Sequence, residues 1–110
     1  MTTCGEFLVK QLEAWGVNTV FGIPGVQLDW AVDALCDEAE RIRFVVPRHE
    51  QTTSYMADGY ARTTGKEGVC MVVPGPGMLN ALAGLSTAYL LKQARATRPD
   101  GSTVDFDVHL

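Results

Sequence analysis

A disulfide or metal framework is the first thing the sequence lacks. Its three cysteines, Cys4, Cys36 and Cys70, are odd in number and far apart, without Cys-x-x-Cys spacing, and only His49 and His109 could join them as imidazole ligands. That pattern excludes a zinc module and a crosslinked secreted scaffold, so no metal site is expected, and unpaired thiols fit a reducing, cytoplasmic setting. Positive charge is also scarce. Nine Lys and Arg stand against 13 Asp and Glu, a net charge of -4 with no basic run, which excludes the electrostatic footprint of a nucleic-acid binder. The start, Met1 to Glu6, has neither the basic region nor the apolar stretch of a signal peptide. The longest uncharged stretch, Val69 to Leu91, is cut by Pro74-Gly75-Pro76-Gly77, so it reads as a short strand and a helix of a core, not as a membrane span.

What the sequence does have is the profile of one globular domain: 110 residues, 46% of them hydrophobic and 20% charged. A chain of this size can bury roughly two-thirds of the surface its unfolded form exposes, enough for one core and not for two.

The hydrophobic pattern alternates between two periods. Thr3 with Glu6 forms a capping box, and Phe7, Leu8, Leu12 and Trp15 follow at helical spacing until Gly16. Asn18 to Phe21 is a short β-rich run ending in Gly22-Ile-Pro-Gly25, after which Leu28, Ala31, Val32, Leu35 and Cys36 return to the 3.6 period. A second strand is expected over Ile42 to Val46, followed by a helix from about Glu50 to Arg62. A third is expected over Val69 to Val73, buried on both faces, followed by a small-residue-rich helix from Leu79 to Leu91. On these stripes Cys36 and Cys70 are expected to be plain buried thiols. Phe7, Trp15, Met56, Tyr60 and the Leu79 to Leu91 stripe are expected in core or dimer packing.

Three strand-loop-helix units in series imply an α/β fold, a doubly wound, mainly parallel sheet with helices on both faces. Ligands of such sheets bind at the carboxyl ends of the strands, so the loops at Gly22 to Gln27, Pro47 to Gln51 and Pro74 to Asn80 should share one functional edge.

Read in order, Phe21-Gly-Ile-Pro-Gly25, Pro47-Arg-His-Glu-Gln51, Ala57-Asp-Gly-Tyr-Ala-Arg62 and Gly75-Pro-Gly-Met-Leu-Asn80 resemble the N-terminal pyrimidine-binding domain of thiamine diphosphate enzymes. The resemblance is to the acetolactate synthase-like group, which includes 2-keto acid decarboxylases, and it covers about Thr3 to Tyr89. It implies thiamine diphosphate as cofactor, held between this domain and a diphosphate-binding domain. That second domain carries the magnesium and would lie on another chain or in a missing C-terminal region, the full-length family being homo-oligomeric.

Glu50 matches the family's catalytic glutamate. A carboxylate is needed there because its bond to ring nitrogen N1′ stabilises the protonated aminopyrimidine, whose imino tautomer removes the proton from thiazolium C2. Read without the resemblance, Glu50 is a solvated residue complementing a helix dipole. Pro24 and Gly25 match the loop that approaches the cofactor, with Ile23 and Val26 beside the substrate; by composition alone they are a strand-to-helix turn. Val73, Pro76 and Asn80 match positions flanking the pyrimidine ring, and for Asn80 a helix cap is the other reading. Many relatives carry Thr-Ser where this chain has Val73-Pro74, so hydroxyl contacts made there are not made here. His49 is read as a loop histidine, and Asp58 with Arg62 as a structural pair one helical turn apart.

The resemblance ends near residue 90, giving an incomplete family domain over 1–90 and a divergent polar tail over 91–110. In the tail Val104, Phe106, Val108 and Leu110 alternate with polar residues, as in an edge or antiparallel strand. Asp100-Gly101-Ser102 mimics part of the family's diphosphate and magnesium motif but is expected to be only a turn. The expected function is therefore a thiamine diphosphate half-site of a carbon-carbon lyase or transferase, inactive by itself, as a truncated gene, a shifted frame or a split subunit would leave it. Two other classes stay open: a flavodoxin-like phosphate or nucleotide module using Pro74 to Asn80, disfavoured by the lack of Gly-x-Gly-x-x-Gly or Gly-Lys-Ser/Thr, and an inert fragment.

Overall fold

The computed structural model describes residues 2–90 together with the backbone of 95–97 and 103–105. The capping box forms as its spacing requires. Glu6 N–H donates to Thr3 Oγ1 at 3.1 Å and Thr3 N–H to Glu6 Oε2 at 3.0 Å, opening helix α1 at Cys4–Ala14. Strand β1 (Thr19–Gly22) follows, then a single 3-10 turn (Val26–Leu28) leading into α2 (Asp29–Asp37). Next come β2 (Arg43–Val45), α3 (Glu50–Thr64), β3 (Val69–Met71) and α4 (Pro76–Leu90). Gly65, at φ 70°, closes α3 in the left-handed conformation that a Cβ would strain.

The three strands form a parallel sheet in the order β2-β1-β3. From β1 the chain crosses to one side through α2, then returns past β1 through α3 to reach the other side. Crossovers of one hand run in opposite directions must leave their helices on opposite faces. Val20, Val69 and Met71 accordingly join Val9, Leu12, Val17, Leu35 and Ile42 in the core under α1 and α2. On the other face Phe21 meets Tyr60 of α3 edge to face, ring centroids 6.0 Å apart. The architecture is the doubly wound α/β fold expected.

Helix α4 packs on α3 through Ala81 and Gly84, which are buried together with Gly77 and Ala88 of the same helix. Ser54 Oγ of α3 donates to the Ala81 carbonyl at 2.7 Å, inside this contact. Glycine is needed at 84 for so close an approach: a Cβ there would fall on Ser54 Oγ and within 2.7 Å of Tyr55 N.

Several sequence expectations need correction. The buried positions of α1 are Gly5, Val9 and Leu12, so its stripe is rotated and Phe7 and Trp15 are both 66% exposed. Gly5 sets that face, since a Cβ there would collide with the Trp30 carbonyl. The expected stripes of α2 and α4 are only partly buried. Cys36 is exposed because α2 turns Ala34 and Leu35 inward, and Leu79, Leu82, Leu85 and Tyr89 of α4 are exposed because small residues face α3. Strand β3 meets the core on one face and α3 on the other, but as an edge strand it is only half-buried throughout.

In the tail, Thr103–Asp105 (β5) is a strand, and it pairs antiparallel with Arg95–Thr97 (β4), a segment whose polar composition concealed a strand. The two form their own sheet and do not extend the parallel one. Asp100-Gly101-Ser102 and the expected continuation over Phe106 to Leu110 lie outside the described residues. Among the described residues no helix is long and apolar enough to cross a membrane.

Candidate functional site

The strand order β2-β1-β3 makes β1 the point where successive connections leave in opposite directions, so the carboxyl edge of β1 and β3 is the switch point of the sheet. All three motif loops leave from this edge because all three strands are parallel.

The loop after β2 delivers Glu50 as the first residue of α3. His49 caps that helix, its Nδ1 accepting the Gln51 N–H at 3.2 Å. Sequence reading placed His49 in a loop and missed this; a histidine immediately before the helix start was the available signal.

Glu50 is half-buried, and its Oε2 accepts from Asn80 Nδ2 at 3.2 Å. Asn80 lies inside the first turns of α4, not at its cap, so the capping alternative falls away. The Glu50 carboxyl is held below its ordinary range, first by the backbone hydrogen bond at the start of α3, then by the Asn80 amide, with a smaller contribution from His49; partial burial opposes them.

The other two loops are locked together by a side chain that composition did not single out for that purpose. Val73 stands between two glycines: a Cβ on Gly25 would come within 2.5 Å of its Cγ1, and one on Gly77 within 2.8 Å of its Cγ2. Here the small size of Gly25 admits Val73. Ile23 is half-buried and tied to β3, its N–H donating to the Met71 carbonyl at 3.1 Å. Pro24 is exposed and Val26 is 83% exposed. Gly75 takes φ 77°, which favours glycine, and Pro76 occupies the first position of α4, where a missing N–H costs nothing. Two pairs thus form at this edge, Glu50 with Asn80 and Gly25 with Val73, while Pro24, Val26, Pro76 and Asn80 itself are exposed.

The third motif is structural. Arg62 Nε pairs with Asp58 Oδ2 at 2.8 Å, with only 20% and 11% of their side chains exposed. Tyr60 OH donates to Asn18 Oδ1 at 2.7 Å, tying α3 to the entry of β1. Cys70 sits on the α3 side of β3, where burial pushes its thiol up and a hydrogen bond with Thr53 partly offsets that. Among the described residues no three His, Cys, Asp or Glu side chains converge as a metal site. A shallow groove of about 470 Å³ is lined by Asp29, Trp30, Val32, Asp33 and Cys36, all from the α2 segment, and includes none of the edge residues.

Residues 2–93 match the family described as thiamine pyrophosphate enzyme, N-terminal TPP binding domain. The chain belongs to that family. It is 48% identical over 87 residues to a probable 2-ketoarginine decarboxylase of Pseudomonas aeruginosa, covering 79% of this chain and 15% of that protein. It is 46% identical over 83 residues to a catabolic acetolactate synthase of Raoultella terrigena, covering 76% of this chain and 14% of that protein. It is also 46% identical over 85 residues to the large subunit of acetolactate synthase isozyme 2 of Escherichia coli, covering 77% and 15%. The chain therefore spans about 15% of the length of these relatives. Family membership sets aside the flavodoxin-like nucleotide module.

Proposed function

We propose that this chain forms the pyrimidine-binding half-site of a thiamine diphosphate enzyme acting on a 2-keto acid, either by decarboxylation or by acetolactate-type carbon-carbon bond formation. The observation that carries the reading is Glu50, a carboxylate at the switch-point edge whose Oε2 is held by Asn80 and whose charged form is favoured by the helix start and by that amide. The donor set suits the cofactor's aminopyrimidine: a charged acceptor for a ring N–H, with the Gly25 loop and Val73 supplying an adjacent wall. Bound thiamine diphosphate supplies the nucleophilic carbon that adds to the keto group of the substrate.

In this role Glu50 holds a proton at ring nitrogen N1′, which makes the exocyclic nitrogen basic enough to act. Pro24, Gly25, Val73 and Pro76 border the ring, Asn80 stands beside it against Glu50, and Ile23 and Val26 are on the substrate side. Magnesium and the diphosphate are held by a diphosphate-binding domain on another chain or another region, in a homo-oligomeric, cytoplasmic assembly. The 110-residue chain alone is expected to give no turnover.

Hydrogen-deuterium exchange at thiazolium C2 tests the reading, measured with the chain, a diphosphate-domain partner from a relative, thiamine diphosphate and magnesium. Glu50→Gln keeps the shape and loses the charge, so exchange should slow far more than cofactor binding weakens. An unchanged exchange rate would mean that Glu50 is not the activating carboxylate.

A further inference from the structure

Helix α4 contains no charged residue, and its polar positions before Tyr89 are Asn80, Ser86 and Thr87. Ser86 and Thr87 both turn back on the Ala83 carbonyl of their own helix, Thr87 also reaching Tyr55 OH of α3 at 3.4 Å. Asn80 does not. Its amide crosses to α3 and donates to Glu50 Oε2 at 3.2 Å. The orientation of that amide follows from chemistry, because an ionised carboxylate only accepts and so must face the NH2 group. Asparagine is a weak helix former in a helix interior, so helix formation does not account for its presence there.

We propose that Asn80 is a positioning residue for Glu50: by holding one carboxylate oxygen it fixes the direction of the other, and it serves the cofactor through Glu50 instead of by touching the ring. The proposal rests on the assignment of Glu50 as the activating carboxylate. A carboxylate offers about four lone-pair sites on two oxygens, so engaging Oε2 leaves Oε1 able to accept from a ring nitrogen. Hydrogen bonding to the charged form favours that form, which is the direction in which Asn80 moves Glu50. Among the described residues His49, from the cap of α3, acts on Glu50 through space, and α4 carries no Asp, Glu, Lys, Arg or His, its titratable side chain being Tyr89 at the far end of the helix.

The test follows the Glu50 side-chain carboxyl by carbon NMR as a function of pH in the 110-residue chain, without cofactor. Asn80→Ala removes the donor, Asn80→Asp sets a like charge in its place, and Asn80→Ser keeps a hydroxyl donor on a shorter arm. The Glu50 midpoint should rise in Asn80→Ala, rise further in Asn80→Asp, and lie between wild type and Asn80→Ala in Asn80→Ser. Amide spectra matching the wild type establish that the variants fold. An unchanged midpoint in both Asn80→Ala and Asn80→Asp would overturn the proposal.

A second readout is the pH profile of C2 exchange in the mixture with the diphosphate-domain partner. Asn80→Ala should move the rising limb to higher pH and recover much of the rate above it. Loss at every pH would instead assign Asn80 a direct contact with the ring and overturn the positioning role. Failure of the underlying assignment looks different: Glu50→Gln would then exchange at the wild-type rate, whatever the Asn80 variants do to the titration.

Discussion

Gly84→Ala tests whether the α3–α4 contact is as tight as the placement of Glu50 against Asn80 requires. In an exposed helix interior this change is stabilising, because alanine is favoured over glycine by about 1 kcal/mol. Here the new methyl would fall on Ser54 Oγ, within 2.8 Å of Ser54 Cβ and 2.7 Å of Tyr55 N. Backbone and Cβ cannot swing aside as a long side chain can, so the helices must separate, and overpacking of this kind costs about 1–3 kcal/mol. Separation also stretches the 2.7 Å bond from Ser54 Oγ to the Ala81 carbonyl, a further loss of about 1 kcal/mol. The propensity gain offsets roughly one of these contributions, leaving a net destabilisation of about 1–3 kcal/mol. For a domain of this size that lowers Tm by roughly 5–20 °C. Circular dichroism melts and urea titrations of the two chains measure it. The Ser54→Ala/Gly84→Ala double variant removes the nearest atom and should be less unstable than the two single effects added together. A Gly84→Ala chain that melts at or above the wild-type temperature would refute the packing argument, and with it the idea that α4 holds Asn80 rigidly over Glu50.

Acid should remove whatever stability Glu50 provides. Its folded value lies below the ordinary 4.5, so the contribution is complete above that range and is lost as pH falls through the folded value. The stability difference between wild type and Glu50→Gln at pH 7 should therefore shrink on acidification, and a difference independent of pH between 7 and 3 would refute the assignment. Gly25→Ala should displace Val73, shifting its methyl resonances and costing about 1–3 kcal/mol; Val73→Ala in the same chain should recover part of the loss, and simple additivity would count against the wedge.

Local rules carried the sequence reading as far as single elements extend. Thr3 and Glu6 form both bonds of the capping box, and the glycine at 65 closes α3 where the pattern breaks. The expected strands lie within a residue or two of those observed because each is bounded by turn-forming residues. The face of α1 went astray because a hydrophobicity pattern gives weight to Phe7 and Trp15 and none to Gly5, yet Gly5 is the residue that lets α1 reach the backbone of α2. Val69 to Val73 reads as a strand buried on both faces because it is continuously apolar, and an apolar run does not encode an edge place in the order β2-β1-β3. The site divides in the same way. Glu50 could be picked from its motif, but its bond to Asn80 joins residues thirty positions apart and exists only because α3 and α4 lie side by side. Nor does anything in the local sequence disclose that Gly25 and Gly77 make room for one valine.

Glu50 remains half-exposed at an edge covered by nothing among the described residues, so water shares its stabilisation with Asn80 and the helix start. The same hydrogen bond gains strength when water is excluded, because the competing solvent is removed and the effective dielectric falls. Burial alone would push the carboxyl up and discharge it. A site that closes over Glu50 therefore needs Asn80 more than the open chain does. Binding of a diphosphate-domain partner should accordingly enlarge the upward shift of the Glu50 midpoint caused by Asn80→Ala, relative to the shift in the chain alone. Carbon NMR of labelled chain with unlabelled partner reads both states. If the shift caused by Asn80→Ala is the same in the two states, the partner does not dry this edge, and the region above Glu50 is not where the two halves meet.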